Sequence, residues 1–456
     1  MILRTTVLLF TLLLQQVGQA NLAVDIAKHG AIGDGKVLNT RALQAAIDAC
    51  AASGGGTVVV PAGVFLSGSV QMKSNITLLL SPGAVLRGSG KIENYPPIPF
   101  RHNELGETRS LLWAIGQTNI SVTGSGTIDL NDPAFIDFTQ YRSDPAMASG
   151  VALNETQQQE TVASHAPPRP TQPLFFHQCQ RLRFDGVSII NAPCWAITTS
   201  LSRDIKVTHL TIDNNLRTPN SDGLHFCGST EIIVSDCVIS AGDDCIAVTG
   251  ITDWDAVSEN IVIMNCVFRS RSAALRLGHQ ASKVRNVIVS NLVIHDSNRG
   301  IAVFASNKGW VKDVLISGLV MDTRLIAGGW WGKGEPLVIV AGGTGTITGV
   351  SVSQVRAESD NGIVIVGQDG NVRDVVLRDW VLKTRLGANR ALFKPLFDLQ
   401  PLPSLPAPDA GKHIPGLFAT GVNGLSCSNL RFSHKEGESV SSEAITNKVL
   451  NLNWRE

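Results

Sequence analysis

The chain is 456 residues long, with 38 Lys and Arg balancing 38 Asp and Glu, and with 43% hydrophobic against 17% charged residues. This composition excludes a disordered chain, and the lack of excess positive charge or of a Lys/Arg run excludes counterion-driven binding to nucleic acid. Beyond the first fourteen residues no apolar stretch approaches the ~20 residues of a bilayer span, so no membrane span is expected.

At the N-terminus Arg4 precedes the apolar run Val7 to Leu14, and Val17-Gly18-Gln19-Ala20 places small residues where a signal peptidase needs them. Residues 1–20 are therefore expected to be a signal peptide and the protein to be secreted or periplasmic. Residues 21–456 are expected to form one domain, with 21–95 as its N-terminal cap region. Its eight cysteines include no CxxC pair and no Cys/His metal spacing. They are expected as small core fillers with room for one or two disulfides, and neither a metal site nor a cofactor is predicted. Gly30 to Lys36 has the spacing of a phosphate loop, but Val37 stands where Ser or Thr must hold magnesium, so the segment is a glycine turn.

One helix is predicted. Asn39 is placed to cap Thr40 to Ala52, whose Leu43, Ala46, Ile47 and Cys50 share one face, and Gly54-Gly55-Gly56 ends it. Its place is over the open end of the array that follows.

That array is a weak repeat: a residue such as Asn or Asp, alternating apolar positions, a polar turn and a second short strand. Copies begin near Asn119, Arg181, Asp204, Glu231, Asn260, Asn286, Asp313, Ile347 and Asn371. The starts from Asp204 to Asp313 are 27, 29, 26 and 27 residues apart. Strand periodicity at this spacing, with no 3.6-residue apolar stripe, means an all-β parallel β-helix with one coil per repeat. Inward side chains then stack into one core, and outward ones form ladders about 4.8 Å apart. Two stretches lack the repeat, Asp137 to Pro173 and Leu386 to Gly424, and both are expected as long loops that can wall a binding cleft.

The informative cluster lies on consecutive coils. Registering Leu224-His225-Phe226 with Ile246-Ala247-Val248 sets Asp222, of Asn220-Ser221-Asp222-Gly223, beside Asp244, of Gly242-Asp243-Asp244-Cys245. Asp243 stands one residue before. Three carboxylates at ladder spacing repel, so at least one takes a raised pKa while another stays ionised, which is the acid and base pair of a glycosidase. A calcium site and plain strand-end turns are the other uses of such residues.

At these residues the chain resembles the polygalacturonase family, glycoside hydrolase family 28, whose members are right-handed parallel β-helix enzymes. Ala31-Ile32-Gly33-Asp34-Gly35, Gly54-Gly55-Gly56-Thr57-Val58 and Val60-Pro61-Ala62-Gly63 are similar to the opening segment of that superfamily. Asn220-Ser221-Asp222 is similar to the family's Asn-Thr-Asp, and Gly242-Asp243-Asp244 to its Gly-Asp-Asp. The resemblance implies Asp243 as general acid, Asp222 and Asp244 activating the water, and inversion at the anomeric carbon. The chain departs from the family where Ala273 replaces the site histidine, and where Ala302 and Phe304 replace the two cations of an Arg-Ile-Lys motif that grip a galacturonate carboxylate.

Other residues are then expected to hold a polysaccharide or oligosaccharide substrate. These are His225, Arg276, His279 and Arg299, and, in Trp330-Trp331-Gly332-Lys333-Gly334-Glu335-Pro336, Trp330 and Trp331 as a stacking platform with Lys333 and Glu335. Arg276 and Arg299 equally suit salt bridges to Asp on a neighbouring coil, and the two tryptophans equally suit packing under a loop. The expected protein is a monomeric, metal-independent hydrolase of a pectin-like substrate. A β-helix lyase or epimerase, with Ca²⁺ and Arg276 or Arg299 as base, and a non-catalytic carbohydrate-binding β-helix are the alternatives. The tryptophans lie three coils beyond Asp243, roughly 15 Å if their loop lies flat, or over the groove if it folds back.

Overall fold

A computed structural model describes residues 22–141, 153–165, 168–250, 255–385, 387–390, 397–402, 414–434 and 444–455. The expected signal peptide lies outside them, as do parts of both long loops. The described chain is a right-handed parallel β-helix whose coils build one 21-stranded and one 12-stranded parallel sheet.

Alternation along each strand produces the core. Ile232, Ile261, Val287, Val314, Val350, Val375 and Leu425 stand in register on successive coils, and all are buried. The neighbouring outward ladder runs Lys206, Ile233, Val262, Ile288, Leu315 and Ser351. The repeat starts mark a conformation as well as a pattern. Asn119, Arg181, Asp204, Glu231, Asn260, Asn286 and Asp313 all take left-handed backbone with φ between 53° and 60°. Asn and Asp tolerate that region best, which explains the recurrence of short polar residues there. In the last two copies the left-handed residue lies slightly beyond the expected start, at Gly349 and Asp374.

Thr40–Ala52 is helical over the expected span and buries Leu43, Ala46, Ile47 and Cys50 in the common core. Asn39 does not cap it. Its side chain is turned away to bond the backbone of Ile32, Val37 and Leu66. Within 21–95, Ala23–Asp25, Gly56–Val60 and Ile76–Leu80 pair as coil strands. A single-turn helix at Glu155–Gln158 lies within the first long loop. All eight cysteines are buried with free thiols, so core filling accounts for them and the expected disulfides do not form. No described helix is long and apolar enough to cross a membrane.

The 12-stranded sheet differs from its partner in being covered on its outer face. Phe397, Leu399 and Leu402 of the second long loop pack on Ala302, Phe304, Val338, Val340 and Val364. Trp195, with Phe100 and Leu105, packs on Cys194 and Cys227 nearer the N-terminal end. A gap remains between these two covers.

The alternation makes a stability prediction. Trp380 is fully buried and donates to the Val352 carbonyl at 3.1 Å, so Trp380→Ala is expected to cost about 3–5 kcal/mol. Leu315 is 47% exposed, and Leu315→Ala is expected to cost under about 1 kcal/mol. Urea unfolding midpoints check the contrast, and equal losses would refute the inward and outward assignment.

Candidate active site

The gap is a cavity of about 260 Å³ lined by Asp222, Asp243, Arg276, His279, Trp330 and Trp331 together with Glu104 and Trp195. A wider trough of about 750 Å³ lies over the outward ladder Ile233, Val262, Ile288 and Leu315, and no candidate residue reaches it.

Strand register builds the site. Leu224, His225 and Phe226 pair with Ile246, Ala247 and Val248 as expected. The outward column continues from Ala247 to Arg276, Ala302 and Val338. Three residues earlier on each coil stands a second column: Asp222, Asp244, Ala273, Arg299 and Glu335.

The three aspartates are not equivalent. Asp222 is buried, with Oδ2 3.0 Å from His225 Nδ1 and with Oδ1 unpartnered. Burial, then the charges of Asp243 and Asp244, push its pKa well above the usual range. Asp243 is half-buried at the cavity wall. Burial, then the Asp244 charge, pushes its pKa up to about 7. Asp244 does not reach the cavity, contrary to expectation. It is fully buried, Oδ1 accepts from the Ala273 amide at 3.0 Å, and Oδ2 accepts from Arg276 Nε at 2.5 Å. Arg276 therefore sits in the cavity as the counterion of Asp244 on the adjacent coil, and that partnership raises its own pKa against the cost of burial.

His225 lies beneath the site, not in it. Its ring stacks on Trp195 at 3.6 Å, and Nε2 lies 3.0 Å from Thr249 Oγ1. Burial, then the Arg276 charge, pulls its pKa well below the ordinary value, so it is neutral. Its Nδ1 faces Asp222 Oδ2, and that contact orients the carboxyl group.

The remaining candidates divide. His279 and Trp331 line the cavity with rings 6.2 Å apart and 17° from parallel. Trp330 lines it too, but is packed against Val162 and Ile326 and donates Nε1 to the Glu160 carbonyl at 2.8 Å. The Trp330–Trp331 loop thus folds back over the groove. Arg299, Lys333 and Glu335 do not line the cavity, correcting their expected place. Arg299 shares the aspartate column but is 1% exposed, donating to the carbonyls of Gln400 at 2.8 Å and Asp398 at 2.5 Å. Glu335 is fully buried and accepts from the amides of Lys333 and Asp398, while Lys333 is buried beside it. The cause is the second long loop, which covers this end of the column.

Glu104 and Trp195 escaped the sequence reading. Trp195 had a signal, since it lies three residues before Thr198, the position of Asp222 relative to His225. Glu104 had none, because it sits on an aperiodic hairpin between Arg101–His102 and Gly106–Glu107.

The raised carboxyl makes a prediction. A group bound to its proton more tightly in the folded than in the unfolded chain loses stability as pH rises from the unfolded carboxylate pKa of ~4 to the folded value of about 7. Asp243→Asn removes that loss. The variant is expected to melt a few degrees above the natural protein at pH 8 and close to it at pH 4, by thermal unfolding. An equal gain at both values would show that the gain has another source.

The family model of Glycosyl hydrolases family 28 matches residues 50–322. A probable polygalacturonase of Vitis vinifera is 28% identical over 324 residues, covering 66% of this chain and 61% of that protein. An exo-poly-alpha-D-galacturonosidase of Dickeya chrysanthemi is 30% identical over 314 residues, covering 61% of this chain and 51% of that protein. The chain thus spans under two thirds of the length of these relatives. In fold it is similar to the family 28 exopolygalacturonase of Yersinia enterocolitica, with a TM-score of 0.70 and 19% identity, over 95% of this chain and 78% of that one. With the family model covering more than half of its length, the chain belongs to glycosyl hydrolase family 28.

Proposed function

We propose that the protein is an exported glycoside hydrolase that removes units from the end of a pectin-like chain by a single inverting displacement. Asp243 is the general acid and Asp222 the base. The observation that carries this is the pair facing one cavity: Asp222 and Asp243 raise each other's pKa, so they hold one proton between them, carried by Asp243 with a pKa of about 7, while Asp222 Oδ1 is unpartnered. Asp222 Oδ1 accepts a proton from water as its oxygen attacks the anomeric carbon. The glycosidic C–O bond breaks, and the leaving oxygen takes the proton of Asp243. Asp244, which the sequence suggests as a second water-activating group, instead holds Arg276 in the site.

Action at a chain end is supported by the small cavity, about 260 Å³, below the ~300–1,000 Å³ usual for drug-sized ligands. The fold-back of Trp331 over the groove and the exo-acting names of the Dickeya and Yersinia relatives support it too. Elimination through Arg276 is disfavoured, because Asp244 holds that guanidinium charged. Export rests on residues 1–20, and N-terminal sequencing that finds Asn21 first would support it.

A general acid must carry its proton, so kcat/KM is expected to fall as pH rises through about 7. Asp243→Asn is expected to lower kcat by about 10²- to 10⁴-fold, and EDTA to leave the rate unchanged. Mono- or disaccharide should dominate from the earliest time points, and a broad ladder of products would exclude chain-end action. Trp331→Ala is expected to raise KM by about 5- to 150-fold, the equivalent of ~1–3 kcal/mol for a lost stacking surface. Unchanged KM with a lower Tm would make that tryptophan a packing residue.

A further inference from the structure

The charges in the cleft carry a conclusion about what it accepts. Among the described residues that line it, Arg276 and His279 are those able to be cationic, and each already has a carboxylate partner. Arg276 is bound to Asp244, and His279 Nε2 lies 3.2 Å from Glu104 Oε1. Burial would raise the pKa of Glu104, but the hydrogen bond and charge of His279, with the charges of Arg276 and His102, outweigh it and hold Glu104 down to about 2. Glu104 is therefore a permanent anion at the cleft wall. Its backbone is held in place as well. Its amide donates to His102 Nδ1 at 3.2 Å, and the His102 ring stands edge-on to Trp195 at 5.0 Å.

A sugar carrying a free carboxylate would enter a cavity that already holds the Glu104 carboxylate and the one negative charge that Asp222 and Asp243 share as the catalytic pair. Ala302 and Phe304 are apolar and are buried with Phe397, Leu399 and Leu402. A hydroxyl-rich, uncharged ring meets suitable partners. His279 Nδ1 is buried without a partner, Asp222 Oδ1 likewise, and Trp331 supplies a flat face.

We propose that Glu104 makes this cleft selective for a sugar unit with no free carboxylate, either a methyl-esterified uronate or a neutral sugar. This rests on the hydrolase reading above and names the unit that site takes. The test uses three oligomers of equal length: oligogalacturonate as the free acid, its methyl ester, and the same oligomer with its carboxyls reduced to primary alcohols. The natural protein is expected to turn over the ester or the reduced oligomer on the order of 10- to 100-fold faster than the acid, the effect of one added like charge in a partly buried cleft. The two uncharged substrates tell the ester from the neutral sugar. Glu104→Gln is expected to bring the ratio towards one by raising turnover of the acid, a change that simple destabilisation would not produce. Preference for the free acid, or a Glu104→Gln variant that loses activity on all three alike, overturns the proposal while leaving the hydrolase reading intact. Turnover of none of the three by the natural protein overturns both.

Discussion

Parallel stacking forces equivalent side chains of successive coils to within a strand spacing of one another, and the site depends on that constraint. Asp222 and Asp244 occupy one column because Leu224 and Ile246 occupy the core beneath them. A one-residue slip of register would separate the carboxyls only by turning a whole strand's core face outward. Their repulsion must be relieved where they stand. Arg276 neutralises Asp244, and burial together with the neighbouring charges keeps protons on Asp222 and Asp243 to higher pH.

The same repulsion separates the roles. A carboxyl whose two oxygens are both bonded, as in Asp244, is a fixed charge. A carboxyl with a free oxygen towards a cavity, as in Asp222, can take a proton from a ligand. Asp243, adjacent in sequence to Asp244 but exposed to the cavity, takes a pKa near neutrality that suits a proton donor. Neutral His225, held by Thr249 and Trp195, orients Asp222 without adding a charge.

Loops decide which part of the column stays open. The second long loop seals Arg299 and Glu335, and Arg299 in turn anchors that loop through the Asp398 and Gln400 carbonyls. On the other side, Glu160 ties the first long loop to the tryptophan loop. It pairs with Arg324 at 2.7 Å, and its carbonyl accepts from Trp330. Arg324 also bonds Asp296, near the end of the coil strand Lys283–Ser297, so the wall is fastened to the scaffold by charge as well as by packing. The cleft is the interval between these fastened pieces.

The repeat was legible because it is local. Alternation of apolar residues, short polar residues at left-handed positions and a recurring length determine coils, and coils determine columns, so the Asp222 and Asp244 register and the Thr40–Ala52 helix could be read from the chain alone. The tertiary structure alone decided which members of a column meet solvent. Arg299 stands in the same column as Asp222, and no local feature distinguishes a buried anchor from a ligand-facing cation there. The difference is made by Asp398 and Gln400, about a hundred residues away on an aperiodic loop. Glu104 reaches His279 across a longer stretch of chain, from a hairpin with no periodicity to register it. Periodic sequence fixes position along a lattice, whereas what covers a lattice point depends on non-local packing that leaves no period in the sequence.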